Sequence, residues 1–180
     1  AARAIIAKAR DEGRTVLGEV EVKALIAAYG IPTVPTRLAS SVEAVEDECA
    51  WLKPPFAVKV VSPDISHKSD AGGVALGLPD RKSAAGAACE METRIGRERP
   101  EARILGYAVE EMVSRPHAQE MFAGIATDPT FGPVIMVGAG GTAVEIVADR
   151  ALTLAPIDDA QARALIDRTR VSRLLRGYRN

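Results

Sequence analysis

Apolar positions recur along the chain at two periods, and the switches between them lay out a protein of interleaved helices and strands. Ala1 to Asp11 is an Ala-rich helical stretch that closes near Gly13. From Glu19 to Tyr29, Val22, Leu25, Ile26 and Tyr29 fall at the i, i+3, i+4, i+7 spacing of one buried helical face, and Gly30 follows as a helix terminator. Ile31 to Leu38 reads as extended, and Pro32 and Pro35 confine it to a sheet edge. Ser40-Ser41-Val42-Glu43 has the form of a capping box and opens a helix that turns Val42, Val45, Cys49 and Leu52 inward. Phe56 to Val61, a β-branched run bounded by Pro54-Pro55 and Ser62-Pro63, reads as a buried strand, and Val74 to Leu78 as a short second one. Asp80 is an N-cap for a helix to about Glu98, which Pro100 forbids from continuing. Ile104 to Val113, Gln119 to Ala126, Val134 to Val137 and Val144 to Val147 read as strands. Gln119 to Ala126 alternates poorly and is expected to be covered on both faces, with Thr127 to Pro133 a turn-rich loop after it. Asp158 caps a last helix to about Arg168. Sequential strands are too close for helical crossovers, so the pattern predicts α+β lobes with mixed sheets and not a doubly wound sheet.

Length and composition narrow the function classes. A chain of 180 residues makes one domain or two small lobes. A net charge of -1 supplies no field for nucleic acid or an anionic membrane, and 4% aromatic residues supply no base-stacking platform. No nucleic-acid or membrane partner is therefore expected. Arg163, Arg168, Arg170, Arg173 and Arg176 read as the solvated face of a C-terminal helix, with a docking surface for a partner domain as the sharper alternative. Cys49 and Cys89 read as two inert reduced thiols, too few for a metal site. No apolar stretch is long enough to span a bilayer, and AARAIIAKAR lacks the order of a signal peptide, so a cytoplasmic location is expected. The chain does not begin with Met and is expected to be a piece of something longer.

Candidate chemistry centres on residues 56 to 74. Lys59 lies inside the buried strand, where an ammonium is costly unless it meets an anion. The loop after it holds Ser62, Ser66, His67, Lys68, Ser69 and Asp70 and closes on Gly72-Gly73, a small polar stretch suited to backbone approach to a phosphate. His67 among these donors could act as a nucleophile toward a phosphoryl group. The alternative is a lysine snorkelling to water and an ordinary solvated hairpin. His117, in a turn between strands, reads as structural. Glu110-Glu111-Met112-Val113 could receive an adenine ring on its backbone, with Glu120 binding ribose hydroxyls; the alternative is a strand end that happens to be acidic. Gly138-Ala139-Gly140-Gly141 fails as a dinucleotide loop, because no helix opens after it, and reads as a tight turn with close backbone approach.

Taken together these stretches resemble the ATP-grasp domain of ADP-forming acyl-CoA synthetases. The resemblance rests on Glu19–Tyr29-Gly30-Ile31-Pro32, Lys59, the run from Ser62 to Asp70 with Gly72-Gly73-Val74, and Glu110–Val113 with Glu120. It continues through Asp128-Pro129-Thr130-Phe131-Gly132-Pro133 and Gly138-Ala139-Gly140-Gly141 with Glu145, and so covers nearly the whole chain in order. His-Lys-Ser-Asp-x-Gly-Gly and Asp-Pro-x-Phe-Gly-Pro are its specific motifs. It implies an ATP-grasp fold of two lobes, 1–110 and an incomplete 111–180, with a nucleotide cleft between them. It implies that Lys59, Ser69, Gly72 and Gly73 contact ATP or ADP phosphates, that Glu110, Glu111, Met112 and Val113 form the adenine hinge, and that Glu120 holds ribose. His67 matches a histidine transiently phosphorylated in this family, which relays a phosphoryl group to a second histidine in a CoA-ligase part. The implied reaction is acid + CoA + ATP to acyl-CoA + ADP + phosphate, with CoA-binding and CoA-ligase domains as partners. The chain also resembles the CoA-ligase-like body of Pat-type protein lysine acetyltransferases, through His117-Ala118-Gln119-Glu120 and the ending Val171 to Arg179. That branch would add a GNAT domain and a role in sensing nucleotide or acyl-CoA without turnover. Such domains normally continue to an acidic-Ile-Asn-Pro motif and a late acidic strand that hold Mg²⁺, so the metal ligands are expected past Asn180. The 180-residue chain alone is expected to bind ATP weakly or not at all, and to perform no synthesis.

Overall fold

Residues 1–65, 67–141 and 148–177 are described by the structure, a computed structural model. The backbone divides into two units, Ala1–Ser114 and Arg115–Asn180. The first runs α1 (Ala2–Asp11), α2 (Glu19–Ala27), β1 (Thr36–Ala39), α3 (Val42–Glu48), a 3-10 turn (Cys49–Trp51), β2 (Phe56–Val61), β3 (Val74–Leu78), α4 (Arg81–Glu98) and β4 (Gly106–Glu111). Its four strands pair in the order β1-β4-β2-β3.

The register decides which side chains share a face of this sheet, because successive residues alternate across it. Val58 lies opposite Val109 and Val60 opposite Tyr107 on β4. With Ala39 and Phe56 they form the apolar face, packed against Val45 and Cys49 and against Ala84, Ala88, Met91 and Ile95 of α4. The α4 residues recur at the spacing of one helical stripe. Ala57 lies opposite Glu110, Lys59 opposite Ala108, and Thr36 opposite Glu110, so Thr36, Lys59 and Glu110 share the other face. Asp80 caps α4 as its sequence predicts, accepting from the Ser83 amide at 2.7 Å.

The second unit is a three-stranded sheet, β5 (Met121–Asp128), β6 (Gly132–Ala139) and β7 (Arg150–Leu154) in that order, with α5 (Asp159–Asp167) and α6 (Ser172–Leu175). Val137, Ala151 and Leu165 form its small core, with Met121, Ile135 and Ile166 packed against them. The Asp158 side chain accepts from the Gln161 amide at 2.8 Å, and Gln161 reciprocates at the Asp158 amide, a complete capping box.

Several expectations are corrected. Both sheets, expected as mixed, are antiparallel in every described pairing. No residue of α2 is buried, and Val22 and Tyr29 of the expected inward face are exposed; the helix engages the sheet through polar side chains instead. Ser41, not Ser40, caps α3, without a side-chain hydrogen bond. β5 is an edge strand whose middle is exposed, not a strand covered on both faces. The turn-rich loop shrinks to Pro129–Phe131, because Asp128 accepts from the amides of Thr130 and Phe131 at 2.8 and 2.9 Å and closes a tight hairpin. β7 and α6 were not anticipated, and the strand expected at Val144 to Val147, with Glu145, lies outside the described residues. Among the described residues, no helix is long and apolar enough to cross a membrane.

Ile95→Ala, which truncates a fully buried side chain, is expected to lower the unfolding free energy by about 2–5 kcal/mol. Ile125→Ala on the exposed edge of β5 is expected to cost under about 1 kcal/mol. Urea denaturation of the two variants checks both.

Candidate functional site

The polar face of the first sheet carries a half-buried cluster of charges. Lys59 Nζ on β2 lies 2.7 Å from Glu19 Oε1, the first residue of α2, and 3.0 Å from Glu110 Oε2 on β4. The other oxygen of Glu110 meets Lys23 Nζ at 2.6 Å, and Lys23 also reaches Thr36 Oγ1 at 2.9 Å. The other oxygen of Glu19 meets Lys68 Nζ at 3.2 Å. Three ammonium groups thus share two carboxylates, leaving one excess positive charge. Burial alone would raise the Glu19 carboxyl, but the Lys59 hydrogen bond and the field of Lys59 and Lys23 outweigh it and hold the group at about 2 instead of 4.5. Burial alone would lower the Lys59 ammonium; hydrogen bonds to Glu19 and Glu110 reverse that and raise it.

Lys59 is the one polar residue in an apolar strand, and alternation turns it away from the core. Glu19 and Lys23 stand one turn apart on α2. Glu110 is 5% exposed, a depth tolerated because both its oxygens meet ammonium groups.

Residues 62–73 join β2 to β3 and carry Lys68 and His67. Ile65 and Ala71 anchor this loop in the core, and Asp64 ties it to Arg103 through the amide at 2.9 Å and the guanidinium at 3.0 and 3.1 Å. The Arg103 contacts hold the Asp64 carboxyl below its ordinary range. Between the anchors His67, Ser69 and Asp70 are exposed. The Gly72 amide donates to Ser69 O at 3.1 Å and the Gly73 amide to Lys68 O at 2.7 Å, so both glycine amides are committed inside the turn. Gly73 is required by space: a Cβ there would lie 2.5 Å from Val60 Cγ1.

The acidic strand end separates into individual roles. Glu110 points into the charge cluster, and Glu111 accepts from the Lys53 amide at 3.0 Å. The Met112 amide donates to Pro55 O at 2.8 Å, and its sulfur accepts from the Gly77 amide at 3.1 Å. Val113 is exposed. Glu120 belongs to the second unit, where its carbonyl accepts from the Gly140 amide at 2.7 Å. With Gln119, Ala139, Gly140, Asp149 and Val171 it lines an open hollow of about 480 Å³ in that unit. Gly140 allows the close approach expected of the glycine run, since a Cβ there would sit 3.0 Å from the Glu120 backbone. Asp149, buried, accepts from the Arg170 and Val171 amides at 2.7 and 2.8 Å and pins the α5–α6 connection to the entry of β7.

Of the residues singled out from sequence, the structure brings Lys59 and Glu110 into contact and sets His67 and Ser69 on the adjoining loop. Glu19 and Lys23 were missed as site residues, and Lys68, named in the loop, was given no role of its own. The one available signal was Lys59 itself, which required an anion without saying which. Among the described residues, no group of three or more His, Cys, Asp or Glu could hold a metal ion.

A family model for an ATP-grasp domain matches residues 8–180. The chain is 36% identical over 178 residues to acetate–CoA ligase [ADP-forming] I of Archaeoglobus fulgidus, covering 99% of this chain and 25% of that protein. It is 34% identical over 178 residues to the acetate–CoA ligase [ADP-forming] I subunit beta of Pyrococcus furiosus, covering 99% of this chain and 75% of the subunit. It thus spans a quarter of the first relative's length and three quarters of the second's. Among solved structures, acetyl-coenzyme A synthetase 1 of Ca. Korarchaeum cryptofilum, in complex with coenzyme A, Ca-AMPCP and HgCl+, matches with a TM-score of 0.91 at 35% identity, over 100% of this chain and 78% of that one. A second structure of that protein, with coenzyme A and Mg-AMPPCP, has its phosphohistidine segment pointing towards the nucleotide-binding site; its TM-score is 0.82 at 31% identity, over 99% of this chain and 76% of that one.

Because the Glu19 carboxyl is depressed from 4.5 to about 2, the stability it contributes is present above pH 4.5 and is lost as pH falls toward 2. The stability gap between wild type and Glu19→Gln is expected to close over that window, as read by urea denaturation in a pH series.

Proposed function

The chain belongs to the ATP-grasp domain family, and on that premise we propose that it is the nucleotide-binding part of an ADP-forming acyl-CoA synthetase. The parent reaction would be acid + CoA + ATP to acyl-CoA + ADP + phosphate. The observation that carries the reading is the pairing of Lys59, a half-buried ammonium in a cluster with excess positive charge, with an exposed His67 on the loop that follows its strand. The whole-length similarity to CoA ligases supports it.

In this reading the Lys59 ammonium meets the charge on the ATP phosphates, where a fixed cation stabilises the transferring group. An imidazole nitrogen of His67 attacks the γ-phosphorus; the P–N bond forms, the bond to the β–γ bridging oxygen breaks, and ADP leaves with the electron pair. The loop anchors, Ile65 and Ala71 in the core and Asp64 on Arg103, hold the two ends of the segment while His67 stands in solvent. The phosphoryl group would then pass to a second histidine in a CoA-ligase part, on the same or a partner chain. Ser69, Gly72 and Gly73 would serve the phosphates only once the turn's internal bonds at the two glycine amides are exchanged. Glu111, Met112 and Val113 remain the proposed adenine hinge and Glu120 the proposed ribose ligand. Mg²⁺ would be the nucleotide's counterion, and the steps above run through lysine and histidine alone. The acetyltransferase alternative, with its GNAT domain, is not favoured, since the relatives above are CoA ligases.

In isothermal titration of Mg-ATP and Mg-ADP into the full-length protein, Lys59→Ala is expected to weaken binding tenfold or more, about 1.4 kcal/mol. Unchanged affinity, or no binding to wild type, would sink the nucleotide site. With γ-labelled ATP, His67→Asn is expected to abolish acid-labile labelling of the chain while ATP affinity stays within about twofold.

A further inference from the structure

The two carboxylates of the charge cluster are not equivalent. Glu110 stands on β4, paired with β1 and β2, and its side chain is 7% exposed. Lys59 and Lys23 each hold one of its oxygens. Moving it would break the sheet or leave two ammonium groups unmatched. Glu19 stands on α2, which buries no residue of its own, and its side chain is 25% exposed. Its oxygens span the strand lysine and the loop lysine beside His67, at 2.7 and 3.2 Å. A carboxylate bridging two ammonium groups at hydrogen-bond distance does what two oxygens of a phosphate would do in the same place.

We propose that Glu19 is an internal stand-in for phosphate: it holds Lys59 and Lys68 until nucleotide arrives, and the nucleotide's phosphate oxygens displace it. Glu110 then keeps Lys59 in position, while Lys68 is handed to the phosphate and brings the His67 loop with it. This assigns Lys68 as a second phosphate ligand and Glu19 as a competitor with nucleotide. It rests on the reading of Lys59 as a phosphate ligand given above.

The test is titration of Mg-ATP into the full-length protein and its variants at fixed salt. Glu19→Gln removes the competing charge and keeps the side chain's shape, and is expected to tighten ATP binding about fivefold. Lys68→Met is expected to weaken binding and, in the double variant with Glu19→Gln, to abolish most of the gain. Glu110→Gln is expected to weaken binding, because Lys59 loses its fixed partner. Loss of a nearby negative charge by itself would tighten binding with or without Lys68, so a gain from Glu19→Gln that survives in full in the Lys68→Met background overturns the proposal, as does unchanged or weaker binding by a folded Glu19→Gln. Should Glu19→Gln fail to fold, Glu19→Asp replaces it; one methylene too short to reach both lysines, it is expected to tighten binding about twofold, and equal or weaker binding overturns the proposal. Lys59→Ala in the same series separates the two failures. If it weakens binding while Glu19→Gln does not tighten it, only the stand-in role falls. If Lys59→Ala leaves ATP binding intact, the nucleotide reading falls and the stand-in role falls with it.

Discussion

An ammonium group in an interior strand has to be matched, and the first unit is built around that requirement. Lys59 sits on β2, flanked by β4 and β3 and backed by an apolar layer on the opposite face. Water cannot fully solvate it there, so two carboxylates do. Glu110 is then itself buried and needs a second cation, which Lys23 supplies. The second oxygen of Glu19 takes Lys68. Each group is tolerable only because of the next, so α2, β2, β4 and the 62–73 loop are tied through one network of charge. A network of this kind is valuable less for its net stability than for the geometry it imposes.

That tie explains how α2 is held although none of its residues is buried. Its inner side is Glu19 and Lys23, one turn apart, reaching over small residues of the sheet: Ala57 and Ala108 lie on the same face as Lys59 and are nearly inaccessible. Larger side chains at those positions would fill the space the lysine and glutamate chains cross. An arrangement held by ion pairs at a partly exposed edge is also one that an incoming anion can rearrange, as a packed apolar contact is not.

The loop that carries His67 uses a different device. Its ends are fixed by Ile65 and Ala71 in the core and by the Asp64–Arg103 pair, and its interior is closed by amide bonds to Lys68 O and Ser69 O. The His67 side chain is left exposed between these fixed points. In the second unit the glycines at 138 and 140 serve close backbone approach between strands, and Asp149 fastens the terminal helices to β7. Glu120 stands beside that framework, on the rim of the hollow it shares with Gly140 and Asp149.

What the amino-acid sequence determined by itself was whatever depends on neighbours in the chain. The Phe56–Val61 and Val74–Leu78 strands, the helix from Asp80 to about Glu98, and the caps at Asp80 and Asp158 follow from periodicity and from hydrogen bonds spanning three residues. The His67 loop and the family it marks were legible for the same reason, since those residues are contiguous. The partners of Lys59 were not: Glu19 is 40 residues away and Glu110 is 51, and only strand register and helix placement bring them to one point. The same limit applies to α2, whose apolar spacing suggested a buried face that its charged side took over. It applies again to β5, whose position at the edge of its sheet depends on which strands pair and not on its own composition. Local chemistry sets an element's type and leaves its surroundings open; those are fixed by contacts between residues far apart in sequence, and here such contacts decided which carboxylates face the lysine.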